Sequence, residues 1–411
     1  MLSPISAETT HVCHRGLDKD APAEAWIDYL RGHYPTELEL DRVLTRRLRN
    51  RATVRYSSPS LDTLTSSVAA LLDNQLDEPF TITDSRWLVG GASKLQMAFT
   101  LDWVQPGRGP VRTPLILRME PAESIVETSR LREFQLIKAF EGVVPVPPVY
   151  WLDADARYLP YPGLIYGFVD GATRPSSGSA GVSGLGINLG PDLRDSLGRQ
   201  VVHHLAAIHT FDFAGADLSA FDIPALGTQS VEWAVNWWTR IWDEDCGEDI
   251  PLMRLASHWL RDNMPPVDRL SVVHGDFRTG NYLFTEHDRR VTAILDWELG
   301  RIGDRHQDLA WLAAPAFGHV AEDGTTFLAG GLLPTDELYA AYEQASGLHV
   351  DPDRLHYYQV FNAFCLVVIT VGSGYRIVRG AKTHQDITVM WLIGIGGTML
   401  DEIHRLLENE E

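Results

Sequence analysis

Cysteine is scarce in this chain of 411 residues, with only Cys13, Cys246 and Cys365. They show no metal-ligand or redox spacing, and an odd number suits a reducing cytosol rather than a disulfide framework. Basic charge is also outweighed: 35 Lys and Arg stand against 55 Asp and Glu, a formal net charge of −20. That balance argues against nucleic acid as the main partner and is compatible with a cationic small molecule. No apolar run reaches bilayer length and no basic-then-apolar leader opens the chain, so the expectation is a soluble cytoplasmic protein with no membrane partner. A hydrophobic content of 45% over this length can fill two substantial lobes.

What the chain does have is concentrated between residues 270 and 311. Leu270, Val272 and Val273 lead as a short strand into His274-Gly275-Asp276, Tyr282 to Phe284 leads out, and Val291 to Leu295 brings a third strand to Asp296-Trp297-Glu298. Asp276 and Asn281 keep the Asp-x-x-x-x-Asn interval of a kinase catalytic loop. Phosphoryl transfer needs a carboxylate that orients the acceptor hydroxyl, plus an amide and a second carboxylate that hold magnesium against nucleotide phosphates. Asp276 suits the first role, Asn281 and Asp296 the second. Each alone could be a turn former or a cap, and it is the convergence of strand ends that sets them apart. His274 beside the base suits fixing loop geometry better than transferring protons.

His274-Gly275-Asp276 with Asn281, then Asp296-Trp297-Glu298, resembles the aminoglycoside phosphotransferase and choline kinase superfamily. The longer wording, HGDFRTGN from His274 and DWELGRIGDRHQDLAW from Asp296, is most similar to the phosphotransferase domains fused to acyl-CoA dehydrogenases and their stand-alone bacterial relatives. The resemblance implies an α+β, bilobal protein-kinase-like fold: an N-terminal antiparallel sheet lobe with one helix, then a larger, mainly helical C-terminal lobe. It implies ATP and Mg2+ as cofactors and a small-molecule hydroxyl acceptor. The expected organisation is a helical extension over 1–79, an ATP-binding lobe and hinge over 80–170, and a catalytic and substrate-binding lobe over 171–411.

The parts of such a nucleotide lobe occur in order. Phe80 to Val89 reads as a strand, Gly90-Gly91-Ala92-Ser93 as a turn whose N–H groups can face phosphates, and Met97 to Trp103 as an alternating strand. Gly90, Gly91 and Ser93 are the candidates there. The strand Pro114 to Met119 carries one charge, Arg118, which needs a partner. The kinase template makes it a phosphate ligand paired with a helix glutamate, Glu133, with Glu127 as the alternative, on a helix expected over Ser124 to Glu141. Leu164 to Val169 would be the fifth strand and hinge, with backbone groups near Tyr166 to Phe168 bonding a purine.

In the second lobe, Leu197, Val201, Leu205 and Ile208 give a helix with a buried stripe ending at His209, a packing and hydrogen-bonding residue. Trp233, Trp237, Trp238 and Trp242 form i,i+4 pairs that suit core packing or an acceptor-pocket wall, for which Trp233 and Trp237 are the candidates. Glu298 could touch magnesium, a bound water or the substrate, or make a surface salt bridge. Asp304 and Asp308 suit capping or bracing the next helix, and further helices are expected over 336–344, from Pro352 behind an Asp351 cap, and over 387–407. The run Thr45 to Arg51 is locally basic within the extension. The reaction implied is ATP-dependent transfer to a hydroxyl; a hydroxyacyl-CoA kinase, an antibiotic or amino-alcohol kinase, and a non-catalytic nucleotide-binding protein are the competing versions.

Overall fold

The computed structural model describes residues 18–52, 59–88, 94–176, 185–380 and 393–408. Three helices come first: α1 (Glu24–His33), α2 (Leu38–Asn50) and α3 (Leu61–Asp73). Five strands follow, β1 (Thr81–Trp87), β2 (Leu95–Gln105), β3 (Gly109–Met119), β4 (Val149–Asp153) and β5 (Gly163–Gly167), with α4 (Arg130–Phe140) between β3 and β4. They form one antiparallel sheet in the order β1-β2-β3-β5-β4.

Strand alternation decides what each face of this sheet does. Leu95, Met97, Phe99 and Leu101 of β2 and Leu115 and Leu117 of β3 point to one face, where Leu64, Val68, Leu71 and Leu72 of α3 cover them. The intervening positions of β3, Ile116 and Arg118, point to the other face, towards α4 with its buried Leu136, Ile137 and Phe140. That parity places the one charge of β3 under the helix that carries Glu133. The amino-terminal helices are therefore not an appendage: α3 closes the sheet, and Leu40 and Leu44 of α2 join the main core.

Helix α4 is shorter than its sequence pattern suggests. It starts at Arg130 behind an N-cap, Ser129, whose hydroxyl accepts the Arg132 N–H. Residues 124–129 stay non-helical because their polar groups serve buried charges instead, with Ser124 Oγ and Val126 O both receiving Lys94 Nζ.

The second lobe holds α5 (Gly190–Thr210), α6 (Gln229–Asp245), α7 (Pro251–Asp262), three short strands β6 (Ser271–Val273), β7 (Tyr282–Thr285) and β8 (Arg290–Ile294), then β9 (Arg301–Gly303) and α8 (His306–Leu312). Strands β6 with β9 and β7 with β8 make two small ladders. A three-stranded insert, β10 (His319–Val320), β11 (Phe327–Ala329) and β12 (Leu333–Pro334), precedes α9 (Thr335–Ser346). Helix α10 (Pro352–Val367), capped by Asp351, runs through a π-helical turn (Val368–Ser373) into α11 (Gly374–Gly380). The span Pro352–Val378 is long and apolar enough to cross a membrane, which differs from the sequence expectation, but 78% of its most apolar window is buried in the protein, so core packing accounts for it. The final helix, α12, is Gly396–Glu408; the first part of the expected 387–407 helix lies outside the described residues.

Candidate active site

The loop between β6 and β7 is held by its backbone. Gly275 has φ 83°, and a Cβ there would lie 2.5 Å from Leu299 O, so only glycine lets the loop pass under the segment after β8. Asp308, inside α8 and fully buried, accepts the N–H of His274 at 2.7 Å and of Gly275 at 2.8 Å, and its Oδ2 lies 3.1 Å from His209 Nε2. His209 Nδ1 meets the Tyr342 hydroxyl at 2.9 Å. Asp308 thus braces the β6–β7 loop rather than its own helix, whereas Asp304, just before that helix, accepts the N–H of its first residue, His306, at 3.1 Å. His274 is buried between Leu295 O, 2.9 Å from Nε2, and the Asp276 N–H, 3.2 Å from Nδ1. With Nδ1 accepting, the ring is the Nε2–H tautomer, and burial lowers its pKa and keeps it neutral.

This frame aims Asp276. Its Oδ1 accepts from Trp311 Nε1 at 2.8 Å and from Arg278 Nε at 3.0 Å, while its Oδ2 lies 2.5 Å from Asn281 Nδ2. The Arg278 guanidinium lies over the Phe317 ring, 5.2 Å from its centroid. Burial raises the Asp276 pKa, Arg278 opposes that, and Asp296 adds to it, so the carboxyl ends above the ordinary aspartate value. Asn281 O accepts the Leu295 N–H at 2.8 Å, which ties the two strand ends together and brings Asp296 alongside. Asp296 itself is left-handed, φ 61° and ψ 49°, a conformation that aspartate tolerates better than most residues.

From the first lobe, Arg118 Nε lies 3.0 Å from Glu133 Oε1, and its Nη2 lies 2.5 Å from Asp296 and 3.2 Å from Glu298. Glu127 instead faces Arg46, 3.8 Å away. Two further cations share the cluster. Lys94 Nζ meets Glu120 at 2.9 Å and Glu298 at 3.2 Å; Arg130 meets Glu120 at 2.9 Å, Glu298 at 3.0 Å, and also Glu133. Glu298 is therefore neither a surface salt bridge nor a group open to substrate: its side chain is 11% exposed and committed to three cations. Burial alone would raise its pKa, but Lys94, Arg118 and Arg130 outweigh that and hold it far below the usual range. For Glu133, burial wins over Arg118 and Arg130 and the pKa is raised.

Four carboxylates (Glu120, Glu133, Asp296, Glu298) face three cations here, and the most open of the four is Asp296, whose side chain is 34% exposed. The partly exposed Asp296 carboxylate and the Asn281 side-chain oxygen are hard-oxygen donors of the kind that fits Mg2+, which takes few protein ligands and keeps several waters. Among the described residues, no group of three or more His, Cys, Asp or Glu could hold a metal ion, so the fit is to that hydrated mode and not to a protein cage.

The remaining candidates fall as follows. Gly90, Gly91 and Ser93 lie outside the described residues. Tyr166 is buried and Phe168 exposed at the end of β5, but the N–H groups of Gly167 and Phe168 donate to Pro148 O at 2.8 Å and Pro114 O at 3.0 Å, so these two donors are taken from a purine by the sheet. Trp237 is 2% exposed with its ring 5.3 Å from that of Trp238, a core position and not a pocket wall. Trp233 is half-buried, and its carbonyl accepts from Thr36 Oγ1 at 3.3 Å. Sequence reasoning missed Lys94, Glu120, Arg130, Trp311 and the role of Asp308. The one available signal was a charge within an apolar context, as for Asp308 in the run before Leu309-Ala310-Trp311.

Curated relatives include acyl-CoA dehydrogenase family member 11 of Pongo abelii, 27% identical over 285 residues, 66% of this chain and 35% of that protein. A probable acyl-CoA dehydrogenase of Arabidopsis thaliana is 26% identical over 313 residues, 71% of this chain and 35% of that protein. The chain thus spans about a third of the length of these relatives. Among solved structures, a Ralstonia eutropha protein assigned as an aminoglycoside phosphotransferase superposes with a TM-score of 0.60 at 23% identity, covering 86% of this chain and 99% of that one, which shows a shared fold. The profile of the phosphotransferase enzyme family matches residues 103–358, the span from β2 through the β6–β7 loop into α10. The chain belongs to that phosphotransferase family.

Proposed function

We propose that the protein transfers the γ-phosphoryl group of ATP to a hydroxyl of a small molecule. The observation that carries this reading is that Asp276, Asn281 and Asp296 meet the Arg118–Glu133 pair through a continuous set of contacts. Asp276 orients the acceptor hydroxyl and takes its proton as the oxygen attacks phosphorus and ADP departs. Its raised pKa makes it a better base than an ordinary aspartate. Arg118, braced by Glu133, neutralises nucleotide phosphates bidentately. Asn281 and Asp296 would hold Mg2+, which supplies charge neutralisation between the phosphates. Trp311 and Arg278 keep the Asp276 carboxylate aimed.

For the acceptor, a hydroxyacyl-CoA is favoured by the dehydrogenase names of the curated relatives. An aminoglycoside or other amine is favoured by the charge of −20. The deciding experiment is magnesium-dependent ATP consumption against a panel of hydroxyacyl-CoAs, aminoglycosides, macrolides and amino alcohols, with Asp276→Ala as control. A hit lost in the variant supports the reading. Turnover that survives Asp276→Ala refutes the assignment of the base, and ATP binding with no transfer to any acceptor favours a non-catalytic protein.

A further inference from the structure

Three of the four arginines in the basic run Thr45 to Arg51 are spent on internal carboxylates, and only Arg49 pairs at the surface, with Glu24. Arg47 pairs with Glu244 and Asp245, Arg51 Nη2 lies 2.7 Å from Asp245, and Arg46 faces Glu127. On the same helix, Asp41 receives Arg240 Nη1 of α6 at 2.7 Å. One side of α2 is thus fastened to α6 in the second lobe. It is also attached to the first turn of α4. Glu37, at the start of α2, meets Arg132 at 2.8 Å, and Glu39 accepts from the Ser129 hydroxyl that caps α4. Arg132 extends the chain of contacts, since its Nη2 also donates to Gly300 O at 3.1 Å, four residues past Asp296.

We propose that α2 is a built-in strap that positions α4. It fixes the first turn of α4 against the second lobe, so that Glu133 is held on Arg118 and the Asp296–Gly300 segment is held in register before any ligand arrives. Glu37 is the key positioning residue: it touches neither substrate nor cofactor and acts through Arg132, the neighbour of Glu133. Arg132 and Glu37 are both buried, at 2% and 4% exposure, where an ion pair keeps its geometry because neither partner has water to turn to. The inference rests on the reading of Arg118 and Glu133 as the phosphate-binding pair.

The test uses full-length protein with Glu37→Gln, Glu37→Asp and, as control, Arg49→Gln, whose partner Glu24 lies within the extension and whose side chain is 50% exposed. Two readouts are taken: hydrogen exchange of the α4 amides in the free protein, and the Kd for MgADP. Glu37→Gln is expected to speed exchange across 130–140 and to raise the Kd about tenfold, within the range by which coupling substitutions act. Glu37→Asp should recover part of both, and Arg49→Gln should change neither. Unaltered α4 exchange in Glu37→Gln overturns the strap. So does a fall in thermal stability with an unchanged MgADP Kd, which would make α2 scaffold only. A wild-type protein that fails to bind MgADP would instead sink the phosphotransferase reading, while the exchange measurement still decides whether α2 positions α4.

Discussion

Lys94 offers a quantitative check on the buried charge cluster. Its Nζ is fully buried and contacts Glu120 at 2.9 Å, Glu298 at 3.2 Å, Ser124 Oγ at 3.2 Å and Val126 O at 3.3 Å. Replacing it with methionine keeps the stem and removes the charge. Taking one partner from a buried pair costs about 3–5 kcal/mol because the other charge is stranded. Here neither carboxylate is left alone: Glu120 keeps Arg130, and Glu298 keeps Arg118 and Arg130, so the lower end, about 3 kcal/mol, is expected. Lys94→Met should also leave Glu298 more dependent on Arg118 and so weaken nucleotide binding. Urea unfolding of Lys94→Met, Glu298→Gln and the double variant closes a cycle. If the two groups act as a pair, the double variant should lose less than the sum, by about 1–3 kcal/mol. Additivity within about 0.5 kcal/mol would refute the reasoning, since independent sites behave that way.

Asp276→Ala should cut transfer about 10²–10⁴-fold while sparing nucleotide affinity, read by turnover and by ADP titration. Transfer should also be lost as pH falls through an Asp276 pKa that lies above the ordinary aspartate value of 3.8, so a rate profile with its acid limb at or below an ordinary aspartate would count against the base. Asp308→Ala strands the N–H groups of His274 and Gly275, at about 1–3 kcal/mol each, and should lower both stability and turnover. Glu127, pushed up to about 7 from 4.5 by burial and then by Glu120, binds its proton more tightly folded than unfolded. Its contribution is therefore full below 4.5 and lost as pH rises to about 7, and Glu127→Gln should flatten the melting temperature across that window.

The β6–β7 loop was legible because its candidate chemistry is written in short spacings: Asp276 to Asn281 is one loop, and Asp296 follows two short strands later. Alternation made the strand Met97 to Trp103 legible, while the pairing of Arg118 with Glu133 came from the kinase template, since a strand and a later helix share no local pattern. The cation cluster was not, because its members are distant in sequence, Arg118 and Glu298 being 180 residues apart and Arg130 and Glu298 168. No local pattern records such a meeting. The start of α4 was misjudged for a related reason: residues 124–129 have helix-compatible side chains, but tertiary partners claim their polar groups. The tryptophans gave a helix and its buried side, but spacing alone could not say whether Trp237 faced a core or a ligand.

The buried charges have one more consequence, and it concerns salt. Among the described residues ten basic and ten acidic side chains are buried, so they cancel, and the net charge of −20 is carried by the rest of the chain. With ten of each sign buried, the remaining side chains carry a larger relative excess of acid than the composition as a whole, so a ligand approaches through a net negative field. Such a field attracts polyamines and repels polyphosphates from a distance, and added electrolyte screens both effects over about 8 Å at physiological ionic strength. The ionic-strength dependence of KM therefore carries information about the acceptor: a polycationic acceptor should bind more weakly as salt rises, and an acyl-CoA more tightly.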